Sequence, residues 1–147
     1  MSRVQIALNV SNIDAAVDFY SKLLGSEPAK RRPGYANFAI AQPPLKLVLI
    51  EHHQSAGTLN HLGVEVESTA EVTAANDRLK QVGLDPEPEA KVTCCYALQD
   101  KVWVHDPDNT PWEIYTVLAD AAVRDAEKPL VETAASSAPA GSRCNCQ

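Results

Sequence analysis

The sequence predicts an α+β fold. Two βαβββ modules place their strands in one curved, mostly antiparallel sheet around a cavity, with the helices outside. Three observations predict it. The order strand, helix and three strands runs twice along the chain, with Gln5 in "VQIALNVS" matching His61 in "NHLGVEVE" at an offset of 56 residues. The strands alternate apolar and polar residues, so each has one face to bury and another to line a cavity. A lone module would leave one sheet face bare, and pairing two modules covers it.

The elements follow in order. "RVQIALNV" alternates, with Val4, Ile6, Leu8 and Val10 on one face and Gln5, Ala7 and Asn9 on the other. A helix follows, capped by Ser11 or Asn12, with Ile13, Ala16, Val17, Tyr20, Leu23 and Leu24 at helical spacing and Gly25 as its stop. "YANFAIA" and "LKLVLIE" read as strands joined at Pro43–Pro44, and "EHHQSAGT" as a loop. The second phrase opens on the strand containing His61. Its helix starts at a capping box of Ser68 and Glu71 and stops at Gly83. "LDPEPEAK" reads as a loop. "TCCYAL" and "KVWVHD" read as short strands flanking Gln99–Asp100, "DPDNTP" as a turn and "PWEIYTV" as the last strand.

The chain has 147 residues, 45% hydrophobic and 22% charged, which suits one domain of two halves. A net charge of −6 argues against nucleic acid, whose phosphates want a basic surface. No apolar run approaches the length of a membrane span, and no basic amphipathic stretch suggests a membrane surface. "MSRVQIALNVSNID" lacks a signal peptide's apolar core, so a cytoplasmic location is expected. The domain is expected over residues 1–118, with half-modules 1–56 and 57–118. Residues 119–147, rich in Ala, Ser and Pro, are expected to be a flexible tail carrying Cys144 and Cys146.

In a reducing compartment the four cysteines read as metal-binding or catalytic rather than as disulfides. Cys94 and Cys95 are adjacent. A disulfide wants Cα atoms about 5.5–6 Å apart, and one trans peptide gives about 3.8 Å. Two small buried hydrophobes are the plain alternative. Two neighbouring thiolates would also chelate one soft, thiophilic atom.

The polar strand faces offer Gln5, His61 and Glu113 to one cavity. Such a facial set of N and O donors resembles the two-His, one-carboxylate site of non-haem Fe(II) proteins, with an amide replacing one His. Each residue taken singly also fits an ordinary structural or solvated role. Glu65 competes with Glu113 as the carboxylate, His52 and His53 offer a loop alternative, and His105 could orient the "DPDNTP" turn. No glycine-rich nucleotide cradle and no serine nucleophile elbow occur.

The doubled phrase, "FYSKLLG" and "HDPDNTPWEIYTV" resemble the vicinal oxygen chelate superfamily, which includes glyoxalase I, extradiol dioxygenases and antibiotic-resistance proteins. "RPGYANFAIAQPPLKLVLIE", "LNHLGVEVEST", "TCCYALQDKVWV" and "PWEIYTV" more narrowly resemble the bacterial carbon–arsenic lyases, a group also known as cadmium-induced proteins. Only the "DPDNTP" turn departs slightly from the pattern. The resemblance implies an Fe(II)- and dioxygen-dependent enzyme that cleaves trivalent organoarsenicals such as methylarsenite, giving arsenite and an oxidised carbon fragment. Its metal ligands fall on Gln5, His61 and Glu113, and its arsenic-binding, catalytic thiols on Cys94 and Cys95. Tyr96 and Lys101 are expected to help bind the substrate. A homodimer is compatible with the resemblance.

Two features complete the expectation. On a regular strand Cys94 and Cys95 would point to opposite faces, so their segment is expected to be a mobile loop or bulge, with Asp100 and Lys101 in the same moving element. The competing function is a soft-metal binding protein that sequesters cadmium or arsenite on Cys94, Cys95, Cys144 and Cys146.

Overall fold

The computed structural model describes residues 2–125, so Cys144 and Cys146 lie outside the described residues. Eight strands form one curled sheet in the order β2-β3-β4-β1-β5-β8-β7-β6. The first module is β1 (Arg3–Val10), α1 (Ile13–Leu24), β2 (Lys30–Arg32), β3 (Tyr35–Ile40) and β4 (Leu45–Glu51). The second is β5 (Leu59–Glu65), α2 (Thr69–Gln81), β6 (Glu87–Cys94), β7 (Ala97–His105) and β8 (Pro111–Asp120). Each half thus carries the βαβββ order, and only β1 with β4 and β5 with β8 run parallel.

Antiparallel pairing of β1 with β5 joins the halves. Ile6 sits opposite Leu62, with Gln5 opposite Gly63 and Ala7 opposite His61. Gln5 and His61 are therefore equivalent positions on the two sides of a local two-fold. This places two repeat-related polar side chains next to each other at the centre of the sheet.

The helices cover one sheet face. Asn12 caps α1 by accepting from Ala15 N, Glu51 accepts from Ile13 N, and Gly25 ends the helix in the left-handed conformation. The α1 face of Ile13 and Val17 packs on Ala36, Phe38, Leu47 and Leu49, with Ile6 and Leu8 beside them. Phe38 and Leu49 are fully buried there, each worth about 2 kcal/mol of transfer free energy. Ser68 caps α2, whose Val72 and Leu79 pack on Val102. Among the described residues, no helix is long and apolar enough to cross a membrane.

The structure differs from the sequence reading in four places. β2 (Lys30–Arg32) is a strand the sequence reading does not include. β8 runs to Asp120 and so takes residues 119 and 120 out of the expected tail. The other two concern β6 and β7. Residues 87–91, expected in a loop, begin the edge strand β6. Pro88 and its charges obscure a strand pattern, yet an edge strand tolerates both because one of its sides needs no ladder. Gln99 and Asp100 do not separate two strands but lie inside β7. The break falls earlier: Cys94 pairs with Ala97, leaving Cys95 and Tyr96 as a two-residue hairpin turn.

Candidate functional site

The sheet face away from the helices is the concave one, and it is polar. Alternation along β1 brings Gln5, Ala7 and Asn9 to it. Cross-strand register adds Lys46 and Val48 from β4, His61 from β5, Glu113 and Tyr115 from β8, and Lys101 and Trp103 from β7. Gln5, His61 and Glu113 are 4%, 2% and 3% exposed and meet at its centre. Gln5 Nε2 donates to Glu113 Oε1 at 2.7 Å and lies 3.0 Å from His61 Nε2, while His61 Nε2 and Glu113 Oε1 are 3.4 Å apart.

This triangle fits a metal ion. Donors on one face of an octahedron with bonds of about 2.1 Å sit about 3.0 Å apart. Gln5 presents its nitrogen inward while its Oε1 accepts from the Tyr115 hydroxyl at 2.5 Å. A half-turn of the amide exchanges the two atoms in place and turns Oε1 inward, where it could face a cation. Tyr115 can then accept from Nε2 and donate to Glu65 Oε2, already 3.0 Å away. Among the described residues, no three His, Cys, Asp or Glu side chains cluster as a metal site, and the candidate triad counts only two of these types plus an amide.

The carboxylate that meets Gln5 and His61 is Glu113 and not Glu65. Glu65 is held by Arg3, Lys46 and Tyr115. Glu113 meets the His61 ring, and its Oε2 accepts from Lys101 Nζ at 2.6 Å. Burial pushes the Glu113 carboxyl upward, but the Lys101 ammonium and His61 outweigh it and hold the group well below the usual carboxylate range. Burial, then the charges of Glu113 and Glu65, raise Tyr115 well above its ordinary value, keeping it a neutral phenol. Gly63 makes room for Glu113: a Cβ there would lie 2.9 Å from Glu113 Cγ and 3.1 Å from its backbone oxygen.

The two-fold is broken beside the triad. Gly63 is opposite Glu113, and its counterpart Ala7 is opposite Val48. The first half therefore offers an apolar side chain where the second offers a carboxylate. Val48 and Ala7 pack with Tyr35, Ile50 and Cys94, and Cys95 and Tyr96 rest against that cluster. The cysteine pair thus lies on the Val48 side of the same concave face.

Cys94 closes β6, and Cys95 and Tyr96 turn the chain with φ of 51° and 60°. Both turn residues are left-handed, the geometry of a type I′ hairpin, which ordinarily uses Asn and Gly. Holding non-glycine residues there costs about 1–3 kcal/mol each. The result brings the two Sγ atoms to 3.5 Å, longer than a disulfide bond of about 2 Å and close enough to share one large atom. The expected loop is thus a tight turn, fastened at Tyr96: its carbonyl accepts from Lys30 Nζ at 3.0 Å and Ala121 N at 2.9 Å. The Tyr96 ring packs 5.3 Å from that of Tyr35.

Lys101 lies at the triad, its Nζ 2.6 Å from Glu113 Oε2. Asp100 is likewise fixed inside β7, accepting from Thr69 Oγ1 at 2.5 Å and Lys91 N at 2.8 Å. The expected moving element is therefore part of the sheet in this structure. His105 does not organise the following turn; Asp106 does, accepting from the backbone of Asp108 and Thr110. The sequence reading did not single out Trp103, whose ring meets His61 edge-on at 5.5 Å, nor Asn60, whose Oδ1 lies 2.7 Å from His61 Nδ1. Trp103, two residues beyond Lys101 on the same strand, was within reach of alternation.

Comparisons with known proteins identify the family and the fold. Residues 3–114 match the family model described as Glyoxalase/Bleomycin resistance protein/Dioxygenase superfamily. The chain is 62% identical over 121 residues to "Cadmium-induced protein CadI" of Mycobacterium bovis, covering 82% of this chain and 80% of the relative. It is 60% identical over 122 residues to "Trivalent organoarsenical cleaving enzyme" of Thermomonospora curvata, covering 82% and 81%. An extradiol ring-cleaving dioxygenase from B. fuscum shares the fold with a TM-score of 0.58 at 18% identity, covering 81% of this chain and 33% of that one. The chain belongs to the glyoxalase/bleomycin resistance/dioxygenase superfamily.

Proposed function

We propose that this superfamily member cleaves the carbon–arsenic bond of trivalent organoarsenicals, such as methylarsenite or trivalent aromatic arsenicals, to give arsenite. The observation that carries the reading is the strained Cys95–Tyr96 turn, which aligns two cysteine sulfurs on the same concave face as a buried Gln5–His61–Glu113 triad. The name of the Thermomonospora relative supports the same reaction.

Trivalent arsenic in methylarsenite carries one carbon and two hydroxyls. Cys94 and Cys95 displace both hydroxyls as water, forming two arsenic–sulfur bonds and leaving the carbon–arsenic bond intact. Fixing arsenic beside the triad replaces an encounter in solution with a local step. Gln5, His61 and Glu113 would hold Fe(II), which supplies the site with binding and activation of dioxygen. Lys101 keeps Glu113 ionised and occupies its second oxygen, and Tyr115 anchors the outer end of the Gln5 amide. Tyr35, packed with Cys94 in the apolar cluster, stays a neutral phenol, pushed up to about 12 by burial. The overall change balances: methylarsenite and dioxygen give arsenite and formaldehyde. Arsenic stays trivalent, and the four electrons taken by dioxygen come from the methyl carbon.

A second reading is sequestration of cadmium or arsenite by the thiols. The name of the mycobacterial relative favours it. Sequestration has no use for the buried triad. The two readings part when metal-free protein receives methylarsenite and Fe(II) under nitrogen and is then opened to air. Arsenite that appears only with both Fe(II) and air supports cleavage. Arsenical that stays bound and methylated supports sequestration.

A further inference from the structure

Resting on the reading of His61 as a metal ligand, we infer that a one-way hydrogen-bond chain from Ser55 through Thr58, Asn9 and Asn60 fixes the His61 tautomer that leaves Nε2 free to ligate. The chain starts at the Ser55 backbone carbonyl, which can only accept. Thr58 Oγ1 donates its single proton to that carbonyl at 2.5 Å. The hydroxyl must therefore accept from Asn9, whose Nδ2 lies 3.0 Å away.

That orients the Asn9 amide, turning its Oδ1 toward Asn60. Asn60 Nδ2 donates to it at 3.0 Å. That orientation turns Asn60 Oδ1 toward His61, 2.7 Å from Nδ1. An amide oxygen accepts, so the ring proton resides on Nδ1 and Nε2 carries the lone pair. The far side of the ring agrees: Gln5 Nε2 donates one proton to Glu113 Oε1 and holds its other proton toward His61 Nε2 at 3.0 Å.

The chain also ties the site to the loop between β4 and β5. Asn9 N donates to Thr58 O and Gly57 N to Asn9 O, both at 2.9 Å, so the loop is stitched to β1 beside the ligand. Asn60 and, through it, Asn9 and Thr58 are positioning residues. Partners of this kind on a ligating histidine are worth about 10–100-fold in metal affinity.

The test uses 15N-histidine-labelled, metal-free protein at a pH where the rings are neutral, with His61 assigned by its loss in His61→Gln. The expected spectrum gives His61 a pyrrole-type Nδ1 and a pyridine-type Nε2. Co(II) alone then reads affinity through its visible absorption. Asn60→Ala should mix the tautomers and weaken Co(II) binding about tenfold or more. Thr58→Val, on an exposed loop and tolerant of folding, should do the same to a smaller degree, and Thr58→Ser should restore both readouts. A pyrrole-type Nε2 in the unsubstituted protein overturns the inference. So does a Thr58→Val protein with unchanged tautomer and unchanged Co(II) affinity. A protein that passes this test yet releases no arsenite keeps the inference and loses the proposed function.

Discussion

Lys101 Nζ lies 2.6 Å from Glu113 Oε2, with the two side chains 1% and 3% exposed. Without metal, this ammonium is the cation that makes a buried carboxylate tolerable. Removing one partner of a buried pair strands the other charge and costs about 3–5 kcal/mol. Lys101→Met should therefore lose about that much stability in urea unfolding of metal-free protein. Saturating Co(II) should restore most of it, because the metal then compensates Glu113. Equal losses with and without metal would show that the lysine acts only through packing.

Gly63 faces Glu113 across β5 and β8 with no room for a side chain. Gly63→Ala pushes a methyl against the Glu113 backbone oxygen and side chain, which strand pairing prevents from retreating. Overpacking of this kind costs about 1–3 kcal/mol. The carboxylate should also shift off the triad, so Co(II) affinity should fall. Wild-type affinity in that variant would contradict the close approach.

Cys95 occupies a left-handed turn position at φ 51°. A glycine there carries no Cβ penalty, so Cys95→Gly should hold or raise stability by about 1 kcal/mol. It should also weaken methylarsenite binding at least tenfold, since a single thiol remains at the turn. A less stable variant that keeps full affinity would mean that the turn is not strained for the sake of the chelate.

Asp100 is held below its ordinary carboxylate range by the Thr69 hydroxyl and then by Lys91 N–H. A depressed folded value stabilises the protein above the unfolded value of about 3.9 and is lost as pH falls through the lower, folded one. Asp100→Asn should lose stability at neutral pH while unfolding less steeply below about pH 4. The comparison is urea midpoints across pH. Parallel acid limbs for the two proteins would rule Asp100 out as a contributor.

The repeat was legible because alternation and helix caps recur at a fixed offset, and the polar strand faces led to Gln5, His61 and Glu113. What stayed hidden was non-local or chemically atypical. β6 was masked by Pro88 and three charged residues, Glu87, Glu89 and Lys91, that only an edge strand accepts. The hairpin at Cys95–Tyr96 was invisible because it lacks the Asn and Gly that announce such turns. Lys101 read as a substrate contact, and only cross-strand register places it on Glu113. Asn60 gave no signal, since it meets Asn9 of β1, which in turn meets Thr58 of the β4–β5 loop.

The central claim is a division of labour, with arsenic held by Cys94 and Cys95 and the bond broken at the triad. The direct measurement is bound and released arsenic, counted separately for three proteins given Fe(II), methylarsenite and air. The unsubstituted chain should bind and release arsenite. His61→Ala should bind methylarsenite normally and release none, and Cys95→Ser should keep its iron and release none. Arsenite release that survives His61→Ala, or that persists in Cys95→Ser, would contradict the account.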